Sequence, residues 1–207
     1  DKNTCVRVIY HDGHNIDLPI YYKQNETPEL AHKSDGWTES DPKEFKDWFL
    51  NLSKDNKQLK RLIRYIKGWC NYRNYVRNDK KMPSGLVMTI LVSNNKIYND
   101  RDDIALRDTL INIQEKLEES FVCERPTTPK GENLLDDYTN RDYFLKELDN
   151  FIVSAKQAIE EDSQKEACKK WKKHFGNRFR CGDATDNSKE VKSYARPDII
   201  SSNAKSA

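Results

Sequence analysis

The sequence predicts an α+β protein in which a short β-hairpin precedes a mainly α-helical bundle. Apolar and polar residues alternate over Thr4 to Tyr10 (TCVRVIY) and nearly as well over Asn15 to Tyr22 (NIDLPIYY). His11-Asp12-Gly13-His14 lies between them as a glycine-containing turn. From Phe45 onward the apolar residues recur instead at helical spacing. A hydrophobic share of 36% against 34% charged residues suits an elongated helical body with wide solvated faces better than a compact sandwich.

Two strands cannot by themselves bury a face or hold a register in water, so the hairpin calls for a partner sheet, and none is visible in the rest of the sequence. After Lys23 a polar loop containing Trp37 is expected, ending at Ser40-Asp41-Pro42. There a capping residue followed by proline announces a helix through Phe45, Trp48, Phe49 and Leu52. Leu59, Leu62, Ile63, Ile66 and Cys70 predict a second helix from about Asn56 to Arg77. Pro83-Ser84 opens a third, Gly85 to Ser93, and Leu106, Leu110, Ile113 and Leu117 mark a fourth. A loop from about Val122 to Asp137 holds prolines and glycine. Phe144, Leu148, Phe151, Ile152, Ala155 and Ile159 then define a fifth helix, and Ala167, Trp171 and Phe175 a short sixth. Three regions result: 1–40 with the hairpin, 41–182 as the helical domain, and 183–207 as a polar, loosely held tail.

Composition narrows the function classes. An aromatic share of 10% argues against long disorder, and a formal charge of +2 leaves any charged partner to be selected by local clusters. Cys5, Cys70, Cys123, Cys168 and Cys181 show no paired spacing, so they read as reduced, mostly structural thiols. No apolar run approaches the roughly 18 residues of a spanning helix, and no signal-peptide pattern opens the chain, so the expectation is a soluble cytoplasmic protein. The first residue is not methionine and the chain opens within a strand pair, which suggests that upstream residues are missing.

Asp17 is the first candidate for chemistry. It stands in an otherwise apolar strand, in the register opposite to Ile16, Leu18 and Ile20. Either that face is solvent-exposed, or the carboxylate serves a sheet-borne site as a magnesium ligand or general base. Lys60, Arg64 and Lys67 fall at i, i+4 and i+7 on one face of the second helix, with Arg61, Arg73 and Arg77 adding charge nearby. Such a stripe is either a solvated face or a phosphate-binding surface. Ser84 caps the third helix or touches a phosphate there. Tyr21 and Tyr22 follow Asp17 closely, and one could stack on a base or simply pack. The four histidines are scattered and receive no role.

The segments IDLPIYY, SDPKEFKDWF, LKRLIRYIKGWCNYR with MPSGLVMTILV, ERPTTPKGENLL and WKKHFG, in that order, resemble the second half of polymerase-beta-type nucleotidyltransferases. They are most similar to the CD-NTase branch, related to animal cGAS and oligoadenylate synthetase. The resemblance implies that the hairpin is the remnant of the nucleotidyltransferase sheet. It implies that Asp17 is the third catalytic carboxylate, completing a magnesium (or manganese) site and helping to activate the attacking ribose hydroxyl. Lys67 matches the lysine that contacts the nucleoside triphosphate and Ser84 a nearby phosphate contact, with Lys60, Arg64 and Tyr22 as further candidates for nucleotide binding. Implied substrates are ATP and possibly GTP or others, joined into a cyclic di- or trinucleotide in CBASS-like antiphage signalling. A regulatory protein partner fits this picture, nucleic acid is not required, and no membrane partner is expected.

One part of the family pattern is missing. Nothing here matches the Gly-Ser turn and Asp-x-Asp pair, because Asp102-Asp103 and Asp136-Asp137 fall in the helical half. This stretch alone is therefore expected to be inactive. Two other readings stand beside this one: a non-catalytic helical module that binds RNA or protein through Lys60, Arg64 and Lys67, and an enzyme with a linear product.

Overall fold

The computed structural model describes residues 3–23, 26–182, 184 and 185. The chain runs β1 (Val6–Ile9), β2 (Asn15–Leu18), β3 (Tyr21–Tyr22), β4 (Glu29–His32), β5 (Gly36–Glu39), α1 (Pro42–Ser53), α2 (Lys57–Val76), α3 (Gly85–Asn95), α4 (Asp102–Glu119), α5 (Arg141–Ile159) and α6 (Gln164–Phe175). A 3-10 turn, Gly176–Arg178, follows.

The hairpin β1–β2 forms as predicted, antiparallel, with Val6 opposite Leu18 and Arg7 opposite Asp17. The second strand differs from its expected length. Pro19 has no N–H to give to a ladder, so pairing with β1 stops at Leu18 and Tyr21–Tyr22 pair with β4 instead. The segment expected as a polar loop is therefore a three-stranded antiparallel sheet, β3–β4–β5, whose β4–β5 turn places Gly36 at φ +71°. The two sheets are separate and every residue of β1 and β2 is exposed, so no sheet among the described residues covers a face of the hairpin. ELAH and GWTE are too short and too polar to show alternation. The Lys33 N–H donates to the Asn3 carbonyl at 2.9 Å, linking the end of β4 to the start of the chain.

Helix starts follow their capping chemistry. The Asp41 carboxylate accepts from the Lys43 and Glu44 N–H groups before Pro42 sets the first turn of α1. Asn56 caps α2 through the Leu59 N–H, and Ser84 caps α3 through the Val87 N–H. On α2 the predicted stripe is buried, and Trp69, absent from that stripe, is fully buried with it. Val87 through Val92 are all buried in α3, as expected of a helix apolar all round.

The core centres on Phe151 of α5. Its ring lies 5.0 Å from Trp69, 4.5 Å from His174, 5.6 Å from Phe175 and 6.1 Å from Trp171, so it joins α2, α5 and α6. At the end of α6, Gly176 adopts φ +63°, and a Cβ there would clash with the edge of the Tyr72 ring. This reversal turns the chain back along α6 and brings Cys181 beside Cys168, with which it forms a disulfide. The expectation of reduced thiols holds for Cys5, Cys70 and Cys123 and fails for this pair, because 13 residues of intervening chain conceal the reversal from a spacing argument. Of the predicted tail, residue 183 and residues 186–207 lie outside the described residues. Among the described residues no helix is long and apolar enough to cross a membrane.

His174 is 5% exposed, and neither ring nitrogen has a hydrogen-bond partner among the described residues. Burial first, and then the nearby Arg73 and Lys173, lower its pKa to about 4. An unfolded chain takes up this proton near pH 6.5, whereas the folded one refuses it until about pH 4. Stability should therefore be unaffected by this group above pH 6.5 and fall through that window, by up to about 3 kcal/mol. Urea denaturation between pH 7 and 4 should show the loss, and His174→Leu should flatten it. An unchanged pH slope in the variant would assign the loss to other groups.

Candidate active site

Lys67 and Ser84 lie far apart in sequence and come together at the start of α3. The Lys67 side chain lies across Gly85, the first residue of that helix. A methyl group placed on Gly85 would stand 3.4 Å from Lys67 Cε and 3.7 Å from Nζ. The Ser84 hydroxyl accepts from the Val87 N–H at 3.2 Å, and the Met88 N–H donates to the Ser84 carbonyl at 3.0 Å. Among the described residues the Gly85 and Leu86 N–H groups have no acceptor, as the first turn of a helix dictates.

A cation thus rests on the positive end of a helix dipole, beside free N–H donors. No carboxylate among the described residues neutralises Lys67, and partial burial lowers its pKa. Cation, helix terminus and free donors are mutually unfavourable until an anion joins them.

The structure also sorts the basic residues of α2. Arg61 donates to Asp102 through Nε at 2.6 Å and Nη2 at 2.7 Å, Arg73 pairs with Glu147 at 2.9 Å, and Arg77 pairs with Asp79 at 2.9 Å. These three, counted above as added positive charge, are neutralised by carboxylates. Lys60, Arg64 and Lys67 are exposed and have no such partner among the described residues. Lys67 faces α3, whereas Arg64 borders a cavity on the α4 and α6 side, so the stripe serves two surfaces.

Asp17 is exposed on β2, and its carboxylate is engaged across the hairpin. Arg7 Nε donates to Oδ1 at 2.6 Å and Nη2 to Oδ2 at 2.8 Å. That bond raises the pKa of Arg7. Tyr22 is exposed and tilts against Trp37, 5.6 Å between ring centroids, so neither tyrosine of this segment is a core residue. No cluster of three or more metal-ligating side chains occurs among the described residues. With its carboxylate held by Arg7, Asp17 offers a divalent ion one ligand at most, so these residues do not form a magnesium site by themselves. Asp102 is also accounted for: it accepts from Gln58, Arg61 and Tyr65, which clamps α4 to α2 and holds its pKa far below the usual carboxylate range.

Sequence reasoning missed two members of this arrangement. The pairing of Arg7 with Asp17 was available from the register of the hairpin, since a turn at residues 11–14 sets position 7 opposite position 17. Gly85 gave no signal of its own, because its role depends on where the Lys67 side chain lies.

No protein-family model matches the chain. Among curated proteins it is 31% identical over 182 residues to cyclic GMP-AMP synthase of Escherichia albertii, covering 86% of this chain and 39% of that protein. Among solved structures it superposes on Vibrio cholerae DncV cyclic AMP-GMP synthase in complex with the linear intermediate pppA(3',5')pG. That match has a TM-score of 0.73 at 21% identity, over 87% of this chain and 54% of the other. The apo form of Vibrio cholerae DncV gives a TM-score of 0.70 at 26% identity, over 87% and 51%.

The fold is thus the α+β fold of a DncV-like nucleotidyltransferase, represented in part. The chain is related to the CD-NTase family. It spans 39% of the curated relative and about half of the solved chains.

Proposed function

We propose that this chain is the nucleotide-holding part of an enzyme that joins two nucleoside triphosphates into a cyclic dinucleotide. The observation that carries the reading is the Lys67 ammonium, without a carboxylate partner among the described residues, lying across the start of α3 beside its free N–H groups. This is the chemistry that a triphosphate requires. A Vibrio cholerae DncV structure holds ATP and GTP, which supports the same substrates here.

In the proposed reaction the triphosphate lies against Lys67, Gly85 and Leu86, with Ser84 beside it and Lys60 attracting it to α2. Asp17, in the region of residues 1–40, takes the proton of an attacking ribose hydroxyl. The new bond forms from that oxygen to the α-phosphorus, and the bond to the departing pyrophosphate breaks. Fixing the phosphates on a rigid helix end while the hydroxyl is held by a strand supplies the alignment that such a transfer needs. Magnesium or manganese, when bound, would neutralise phosphate charge. Its remaining oxygen ligands, and a Gly-Ser turn with an Asp-x-Asp pair, must come from outside the described residues, and residues 41–182 act as the helical nucleotide-binding domain. A cytoplasmic role in antiphage signalling, with a regulatory protein partner, belongs to the same proposal.

The test is incubation of the full-length gene product with labelled ATP, GTP, CTP and UTP plus magnesium. The expected result is a cyclic dinucleotide and pyrophosphate. A product that stays linear would change the reaction but keep the site. No nucleotide consumption, together with RNA affinity that falls with salt, would replace this reading with a binding module.

A further inference from the structure

Where α2 faces α4 and α6, these helices and the 3-10 turn line a cavity of about 410 Å³. Its walls are largely apolar: Leu106, Trp171, Phe175 and Phe179. The Phe175 and Phe179 rings are stacked 5.7 Å apart at 20°, presenting a flat aromatic surface. Arg64 and Arg178 also line the cavity, and neither has a carboxylate partner among the described residues.

The acidic residues of the wall do not offset them. Asp102 is occupied by Arg61, Gln58 and Tyr65, and Asp103 by Arg101 at 2.6 and 3.1 Å. The charge left for a ligand is that of two guanidinium groups. Gly68 gives an independent sign that the space is kept open. It lies in the middle of α2, where glycine costs about 1 kcal/mol relative to alanine. A Cβ there would meet nothing within 4 Å, so packing against a neighbour does not explain it.

We propose that this cavity binds a planar aromatic anion, one ring system of bicyclic size bearing a single carboxylate, sulfonate or phosphate group. The rings lie against Phe175, Phe179 and Trp171, and Arg64 and Arg178 hold the anionic group. The site is distinct from the Lys67 cradle, because Lys67 faces α3 while Arg64 and Gly68 face α4 and α6. The Cys168–Cys181 disulfide closes the segment that carries Phe179, so an intact bridge favours a formed wall.

The probe is 1-anilinonaphthalene-8-sulfonate, titrated into the full chain and followed by its fluorescence with tryptophan excitation, since Trp171 stands in the wall. Gly68→Leu places a side chain in the cavity from a position where a Cβ meets no neighbour, and should weaken binding at least tenfold while leaving the melting temperature equal or higher. Arg178→Ala should weaken it about tenfold. N-phenyl-1-naphthylamine, the same rings without the sulfonate, should bind at least fivefold more weakly than the sulfonate. Competition by adenosine 5'-monophosphate or by 1-naphthoate tells phosphate-bearing from carboxylate-bearing ligands. Unchanged binding to Gly68→Leu would place the probe elsewhere, for instance on the exposed apolar residues of β1 and β2, and would overturn the proposal. Equal binding of the neutral analogue would overturn the role of the two arginines.

Discussion

Replacing Asp17 with alanine is expected to lower nucleotide transfer by the full-length protein by about 10²–10⁴, the effect of removing several kcal/mol of transition-state stabilisation. The fold should survive, because Asp17 lies on an exposed hairpin and its partnership with Arg7 is a surface ion pair of a kind that adds little to stability. The informative control is Arg7→Ala. If Asp17 served only to hold the hairpin through Arg7, the two substitutions would cost the same activity. If Asp17 takes the hydroxyl proton, Arg7→Ala should leave most of the rate, because the carboxylate remains. Product formation by Asp17→Ala at the rate of the unmodified protein would remove Asp17 from the chemistry.

The largest effect on stability is expected at Phe151. Phe151→Ala removes the ring that Trp69, His174, Trp171 and Phe175 surround, at a position with no solvent exposure. Neighbouring rings on two other helices cannot all move to fill the gap, so the cost combines lost transfer free energy with a cavity term, about 3–5 kcal/mol together. Val153 lies on the same helix at 45% exposure, and Val153→Ala should change stability by no more than about 0.5 kcal/mol. Denaturant midpoints of the two variants should differ accordingly. Equal midpoints would mean that the α5–α6 contact does not hold the bundle together.

Much of the helical half is legible in the sequence, and the reason is local chemistry. Asp41-Pro42, Asn56 and Ser84 are capping residues at the helix starts, and the apolar stripe on α2 contains residues that prove to be buried. The sheet half reads less well. Pro19 ends one pairing and begins another, and β4 and β5 are four-residue strands without alternation, stabilised by neighbours rather than by their own composition. The disulfide depends on a chain reversal at Gly176 whose signal is a single glycine.

For the candidate site, the pattern identified the basic stripe on α2 but could not separate its members. Arg61 and Lys60 are adjacent in sequence, yet one is bound to Asp102 and the other has no carboxylate partner among the described residues. Only tertiary structure decides which cations remain available. The pairing of Lys67 with the start of α3 came from family resemblance, and the structure supplies its geometry, with the Lys67 side chain lying across Gly85.

The phosphate cradle can be examined without catalysis and without metal. Inorganic tripolyphosphate added to the isotopically labelled chain should shift the backbone amide resonances of Gly85 and Leu86 most, with affinity reduced about 10- to 100-fold in Lys67→Met, as loss of a charge-assisted hydrogen bond of roughly 1.5–3 kcal/mol requires. Shifts confined to other basic residues, or equal affinity in the variant, would show that the start of α3 does not hold phosphate.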